Sequence, residues 1–146
     1  MGIKLGMEGK IYFDPLGVGG STWTEMSNAK DVTLNLESGE ADVTTRANQG
    51  WRATIATLRD ASVEFEMVWD TLDAGFAAIK DAYMNKTPIG LAIMDGDITA
   101  AGSQGLQANC SIMKFTRAEQ LEEAMSVSVT VKPTYSTLAP EWVTVP

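Results

Sequence analysis

Histidine is absent from this sequence of 146 residues, and cysteine occurs once. Without histidine, the chain has no Ser-His-Asp triad and no imidazole ligand for a metal ion. The single Cys110 excludes an internal disulfide and a thiolate metal cluster. It lies in an alternating apolar stretch from Leu106 to Ile112, which favours a small buried side chain over a reactive thiol. The sequence therefore predicts neither a metal site nor a cofactor.

Basic residues are few. Eleven Lys and Arg stand against 19 Asp and Glu, so the formal net charge is −8. Tight binding to a phosphate backbone or to an anionic membrane requires clustered basic residues, and this balance argues against both. It leaves open a surface that lies close to DNA without adhering to it, because like charges repel.

Long apolar runs are missing as well. No stretch approaches the ~20 apolar residues of a membrane span, and the first ten residues do not resemble a signal peptide. We therefore expect a protein that is made in a cytoplasm, without an export address and without a membrane partner. The length is that of one domain, and a hydrophobic content of 45% is typical of globular chains.

A stretch that begins at Asp60 changes its apolar period part way along. From Val63 to Trp69, apolar residues occupy every second position, which predicts a strand with one core face and one polar face. The polar face carries Ser62, Glu64 and Glu66.

The second part of this stretch has helical spacing. Its apolar positions are Leu72, Phe76, Ile79 and Tyr83. They predict one helix at about 71–84, with Asp70 or Thr71 capping its first turn and Thr87-Pro88 ending it. This is the one convincing helix in the sequence, and the strands on either side are expected to pack on it.

Several other stretches alternate or are short and apolar, which is typical of strands. They are Lys10–Phe13, Trp23–Met26, Asp31–Leu36, Trp51–Leu58, Ile89–Met94, Leu106–Phe115 and Met125–Lys132. We expect Asp31–Leu36 to be half-buried, and Arg59-Asp60 to turn between two arms of a hairpin at 51–69. In the last strand, the polar positions are Ser126, Ser128 and Thr130. Six to eight strands and one helix predict a mainly β fold, a two-sheet β-sandwich or barrel with a flanking helix.

Residues 37–50 contain few large apolar groups. The segment is either a long loop or a weak hairpin arm that carries Val43-Thr-Thr-Arg46, and the sequence leaves both readings open. Long ordered loops in small domains are uncommon and often functional.

Candidate catalytic groups have simpler explanations. Acid chemistry by Glu64 and Glu66, or by Asp70 and Asp73, would need a carboxyl in an apolar pocket with a raised pKa. A solvated strand face and helix capping account for both pairs. Asp95-Gly-Asp97 lacks the later acidic ligands of a calcium loop. We expect a protein that is not an enzyme.

One family resemblance rests on order and pattern along residues 20–135. The segments that carry it are Trp23–Leu36, Glu40-Ala-Asp-Val-Thr-Thr-Arg46, Gly50-Trp51 and Leu58–Met67, followed by Trp69-Asp70, the helix, and the strands at 89–94 and 125–135. Together they resemble the tail tube proteins of long-tailed bacteriophages.

The resemblance implies a single tail-tube domain over residues 1–146, with an N-terminal segment (1–20), an assembly loop (37–50) and a C-terminal tail (134–146). Six copies would form a ring, and stacked rings would form a hollow tube in the virion tail, assembled in the host cytoplasm. Its partners would be other copies of itself, a tape-measure protein and tail-terminator or tip proteins. Double-stranded DNA would pass through without specific binding.

Two groups of residues are assigned by this resemblance. The expected self-assembly residues are Glu37, Glu40, Asp42, Val43, Thr44, Thr45, Arg46 and Asn48. The expected lumen-facing residues are Glu64, Glu66, Ser126, Ser128 and Thr130. Two other functions fit the sequence less well: the ring protein of a type VI-like contractile secretion system, which shares the architecture, and a small β-barrel that binds an apolar ligand.

Overall fold

The computed structural model describes residues 3–19 and 22–146. The strands are β1 (Lys10–Asp14), β2 (Thr24–Glu25), β3 (Ala29–Asp42), β4 (Thr54–Val68), β5 (Ile89–Met94), β6 (Gln104–Ala118), β7 (Ser126–Pro133) and β8 (Glu141–Thr144), and helix α1 is Ala74–Asn85. Single 3₁₀ turns lie at Gly6–Glu8 and Arg46–Asn48. The expected mainly β class with one helix is confirmed. Of the expected N-terminal segment, residues 1, 2 and 20 lie outside the described part.

The strands form one antiparallel sheet in the order β2-β1-β5-β6-β7-β4-β3, with β8 added beside β6. Side chains from both ends of this order meet in one hydrophobic core, Ile11 and Phe13 from β1 and Val63 and Phe65 from β4. The sheet is therefore folded over on itself, with helix α1 against β5 and β6. In the residues that the structure describes, no helix combines the length and apolar character needed to cross a membrane.

Alternation along the central strands is as the sequence predicts. Val63, Phe65 and Met67 on β4 are buried, and so are Val127, Val129 and Val131 on β7. Each buried pair lies side by side across the two strands. Cys110 is buried too, and this desolvation raises the pKa of its thiol to about 12. The expected burial of this cysteine is confirmed.

Helix α1 begins two to three residues later than its sequence pattern predicts. Asp73 is the N-cap, and its carboxylate accepts a hydrogen bond from the Phe76 amide at 2.9 Å. Asp70 instead accepts from the Leu72 amide in the preceding turn. Leu72 is therefore 94% exposed and lies outside the helical stripe. Its apolar character fitted the helical period by coincidence.

The helix is attached to the sheet by aromatic contacts. Phe76 meets Trp69 edge to face, with ring centroids 4.7 Å apart, and Tyr83 stacks on Phe115 of β6 at 6.0 Å. Arg117 lies over the Trp69 ring at 5.0 Å. These contacts place the helix on the core side of the sheet and leave the other side of β6, β7, β4 and β3 uncovered by it.

The predicted turn at Arg59-Asp60 is wrong. Strand β4 runs without interruption from Thr54 to Val68, and Arg59 and Asp60 pair with Ser38 and Glu37 of β3. Two charged residues resemble a turn in the sequence, but a continuous ladder with a partner strand satisfies their backbone groups equally well.

Strand β3 is also longer and more exposed than expected. It continues through Glu37 to Asp42, and Leu36 is 55% exposed. Only Leu34 of the three expected apolar positions packs against the core. A bulge near Asp31, which has a positive φ of 52°, shifts the register and turns Val32 outward.

Candidate assembly surfaces

The uncovered side of the sheet is a polar face. Cross-strand pairing aligns Glu66 with Ser128 and Glu64 with Thr130, and places Ser126 beside Val68. The structure thus brings together all five residues that were expected to line a lumen, since they occupy the same side of two neighbouring strands. We define the polar face as this side of β3, β4, β7 and β6. Its polar and charged members on the central rows are Lys30, Thr33, Asn35, Ser62, Glu64, Glu66, Lys114, Thr116, Ser126, Ser128, Thr130 and Lys132.

The polar face carries charges of both signs. Lys30 Nζ lies 3.9 Å from Glu66 Oε2. Thr130 pairs with Glu64 on one side and with Lys114 on the other, so Lys114 and Glu64 lie in the same row across the sheet. Lys132 shares a groove with Glu37 and Asp60, so this side of the four strands carries three lysines and four carboxylates. The net charge of −8 therefore comes from other surfaces of the chain, and this face is close to electrically balanced.

Lys132 and Lys114 were not among the predicted residues of this face. Lys132 continues the alternation of Ser126, Ser128 and Thr130, so the sequence pattern could have placed it on this face. Lys114 was hidden by a bulge between Ile112 and Lys114, which shifts the alternation of β6 by one residue.

The strands β6, β7, β4 and β3 form a four-stranded part of the sheet, and its two edges have no strand partner among the described residues. Strand β3 pairs only with β4. Strand β6 has β7 on one side, while on the other side β5 begins at Ile89 opposite Cys110. The backbone of β6 from Ser111 to Ala118 is thus open on that side. Open edges expose donors and acceptors that readily pair with another strand.

The outer halves of β3 and β4 form a two-stranded arm, which we define as residues 36–61. The body ends where Val63 pairs with Val131, and beyond this point the strand that pairs with β4 in the described residues is β3. The arm is exposed over most of its length and bears large apolar side chains on its surface. Their exposed fractions are Leu36 55%, Val43 45%, Trp51 76%, Ile55 49% and Leu58 83%. Such a surface is unusual in a monomer and typical of an interaction site.

All eight expected self-assembly residues belong to this arm. Glu37, Glu40 and Asp42 are on β3, so residues 37–42 form a strand of a hairpin arm, whereas Val43-Thr-Thr-Arg46 lies in the connection and not on the expected arm strand. The connection between the strands is 43–53. The remaining five residues lie in this connection, and Thr45 caps the short 3₁₀ turn by accepting from the Ala47 amide.

Hydrogen bonds order the base of this connection. The Thr44 amide donates to Asp42 Oδ1 at 2.8 Å, and the Ala53 amide donates to Thr44 Oγ1 at 2.9 Å. The hydrogen bonds to the Thr44 side chain and amide lower the pKa of Asp42. These hydrogen bonds join the two sides of the connection where it leaves β3 and enters β4.

A groove of about 590 Å³ lies beside the first half of β3, away from the arm. Its walls are the N-terminal segment at Gly6–Lys10, the start of β3 at Ala29–Leu34, and Ile93 and Met94 of β5. The arm is the second half of the same strand. The two features therefore lie at opposite ends of β3, which is the arrangement needed for contacts between copies stacked in one direction.

These features define a mainly β subunit with open sheet edges and an exposed apolar arm, which are typical of a protein that assembles with other copies. The chain belongs to the phage tail tube protein family, whose family model matches residues 11–134. It is a structural tube subunit. The predicted family and function are confirmed.

Solved structures share the fold at low sequence identity. A chain from the tail of an empty gene transfer agent particle, computed with helical refinement and C6 symmetry, is 16% identical with a TM-score of 0.76, covering 97% of this chain and 99% of that one. The SPP1 tail tube chain is 19% identical with a TM-score of 0.69, covering 89% and 75%. A chain of the anti-feeding prophage baseplate is 7% identical with a TM-score of 0.61, covering 94% and 93%. No curated protein matches the sequence.

Proposed function

We propose that six copies form a ring in which β3 of one copy pairs with the open edge of β6 in the next. The observation that carries this proposal is the direction of the strands. In the antiparallel order β6-β7-β4-β3, the two edge strands run in opposite directions. Rotation about the ring axis does not reverse the direction of the strands along that axis, so β3 of one copy lies antiparallel to β6 of the next. Four strands from each copy then continue into one closed barrel. The C6 symmetry of the gene transfer agent tail supports the number six.

The arm joins successive rings. The apolar side chains beyond its base, Val43, Trp51, Ile55 and Leu58, lie outside the body, and the groove beside Ala29–Leu34 lies at the other end of β3. Contact between two different surfaces of identical copies closes into a ring when the rotation between copies closes, and it generates an open-ended filament when successive copies are stacked along one axis. Stacked rings in one direction then make the tube, and residues 37–50 are its assembly segment.

The polar face lines the bore. The helix and its aromatic contacts cover the opposite side of the sheet, so closing the barrel with the helix outside places Glu64, Glu66, Ser126, Ser128 and Thr130 inside. Short hydroxyl side chains and balanced charges offer DNA neither a basic cluster nor a base-reading group. Double-stranded DNA passes through this bore without specific binding.

The tube belongs to the tail of a virion or a related particle and is assembled in the cytoplasm of a bacterial host. The bore would hold a tape-measure protein until the genome enters it, and tail-terminator and tip proteins would close the two ends of the tube. The subunit has a structural role and no enzymatic activity of its own, since its acidic pairs serve as face residues and caps.

A second candidate is the tube-forming ring protein of a contractile secretion system. The fold similarity to a chain of the anti-feeding prophage baseplate favours it. The family match over residues 11–134 favours the phage tail instead. Neighbouring genes distinguish the two, because a tail would be encoded beside a tape-measure gene and a secretion system beside sheath genes.

Negative-stain electron microscopy of the concentrated, purified protein tests the proposal directly. We expect hollow tubes or rings with six-fold end views. A protein that stays monomeric at all concentrations and binds an apolar small molecule saturably would instead support the ligand-binding barrel.

A further inference from the structure

A second groove lies beside the open edge of β6. It has a volume of about 430 Å³, and the end of helix α1 forms one wall while Ser111–Met113 of β6 forms the other. The apolar side chains around it are unusually exposed. Met84 is 70%, Met113 53% and Tyr83 43% exposed. We call these three residues, with the groove between them, the methionine groove.

The position of the methionine groove follows from the strand pairing. Strand β5 begins at Ile89 opposite Cys110, so no strand within the described residues covers the next residues of β6 on this side. Met113 is the extra residue of the bulge between Ile112 and Lys114 and has no partner on β7. The groove therefore opens along the same edge at which a neighbouring strand would pair.

Strand β3 carries a matching apolar side chain. Leu34 packs on the core, and two residues further along Leu36 points to the same side of the sheet. Leu36 has no core beneath it and is 55% exposed. When the sheets of two copies join into one, their core-facing sides lie on the same side of the joined sheet. Leu36 of one copy is therefore on the side of β6 that bears the helix in the next copy.

We propose that the methionine groove is the seat for Leu36 of a neighbouring copy within the same ring. This inference rests on the proposed pairing of β3 with β6 and adds the side-chain contact that would hold it. Unbranched methionine side chains adapt to a partner of irregular shape. Pairing of edge strands supplies backbone hydrogen bonds, and the seated leucine supplies the apolar burial that a polar face cannot give.

Disulfide trapping tests the contact. A chain with both Leu36→Cys and Met84→Cys, and a second with Leu36→Cys and Met113→Cys, are assembled and oxidised. At least one should give a ladder of linked copies up to the hexamer on denaturing gels. The control pair is Leu36→Cys with Leu121→Cys, because Leu121 is fully exposed in the turn between β6 and β7, and it should give no ladder. Native Cys110 stays in place, since it is buried.

Charge substitution provides a second readout. Leu36→Glu and Met84→Glu should each lower the yield of rings about tenfold or more, because a carboxylate would be buried without a partner. Leu121→Glu should leave ring yield unchanged. All three side chains are exposed in the free subunit, and thermal unfolding checks that each variant folds.

The outcomes separate this inference from the function on which it rests. If the unmodified protein forms no rings or tubes, the proposed function fails. If rings form but neither cysteine pair links copies more than the control pair does, or both Glu variants assemble normally, the methionine groove is not the seat.

Discussion

Asp73 shows how one side chain sets the start of helix α1. Its carboxylate satisfies the Phe76 amide at 2.9 Å, one of the donors that a helix leaves unpaired at its first turn. We expect Asp73→Ala to lower the free energy of unfolding by about 1 kcal/mol, which is typical for loss of an N-cap. Denaturant unfolding of the unassembled subunit measures it.

The matched control for this change is Asp81→Ala. Asp81 is exposed on the same helix and faces only Lys80 at 3.6 Å. Its loss should change stability by less than about 0.5 kcal/mol. Equal effects of the two substitutions would contradict the capping role of Asp73.

Asp42 gives the arm a predictable pH response. Hydrogen bonds from the Thr44 side chain and amide lower its pKa below the ordinary value of 3.8. A carboxyl whose pKa is lower in the folded state stabilises that state above its unfolded pKa, and the contribution is lost as the pH falls through the folded pKa. The arm tip should therefore be unchanged between pH 7 and pH 5. An NMR titration of the Thr44 amide should show its midpoint below 3.8, and Asp42→Asn should abolish the transition. A midpoint above that value would contradict the hydrogen-bonded geometry.

The arm is the element on which the proposed stacking of rings depends. Removing residues 38–59 and joining Glu37 to Asp60 through Asn-Gly makes a two-residue hairpin, because Glu37 and Asp60 are already paired. The deleted residues contribute nothing to the core, so the body should fold with its stability intact. We expect no tubes by electron microscopy, only single rings or monomers.

Tubes formed by this shortened chain at the yield of the full chain would rule out the arm as the ring-to-ring contact. A useful control keeps the arm and replaces Leu138, a half-exposed residue of the body, with Ser. That variant should polymerise normally.

At the scale of the whole molecule, the proposed ring places the polar face inside the tube and the helix outside. Ser128→Cys lies on the polar face, and Asp81→Cys lies on the exposed side of helix α1. In the free subunit, both should react with a maleimide coupled to a large polyethylene glycol. After assembly, Asp81→Cys should still react, and Ser128→Cys should be protected because a bulky reagent does not enter the bore. Equal labelling of both positions in intact tubes would place the polar face outside.

The sequence by itself determined the elements that alternate or repeat cleanly. Strands β5 and β7, the helix, the buried cysteine and the grouping of Ser126, Ser128 and Thr130 all follow from side-chain period, which depends only on local backbone geometry. The resemblance in segment order was enough to indicate the family.

Only the tertiary structure decided what depends on register and on partners far apart in the chain. The continuous β4, the arm, the placement of Lys114 and the two open edges arise from ladders and bulges between segments such as Glu37 and Asp60. A polar or charged residue satisfies its backbone equally well in a turn or in a strand, so the choice is made by the partner strand. That partner is set by the packing of the whole sheet, which no local pattern contains.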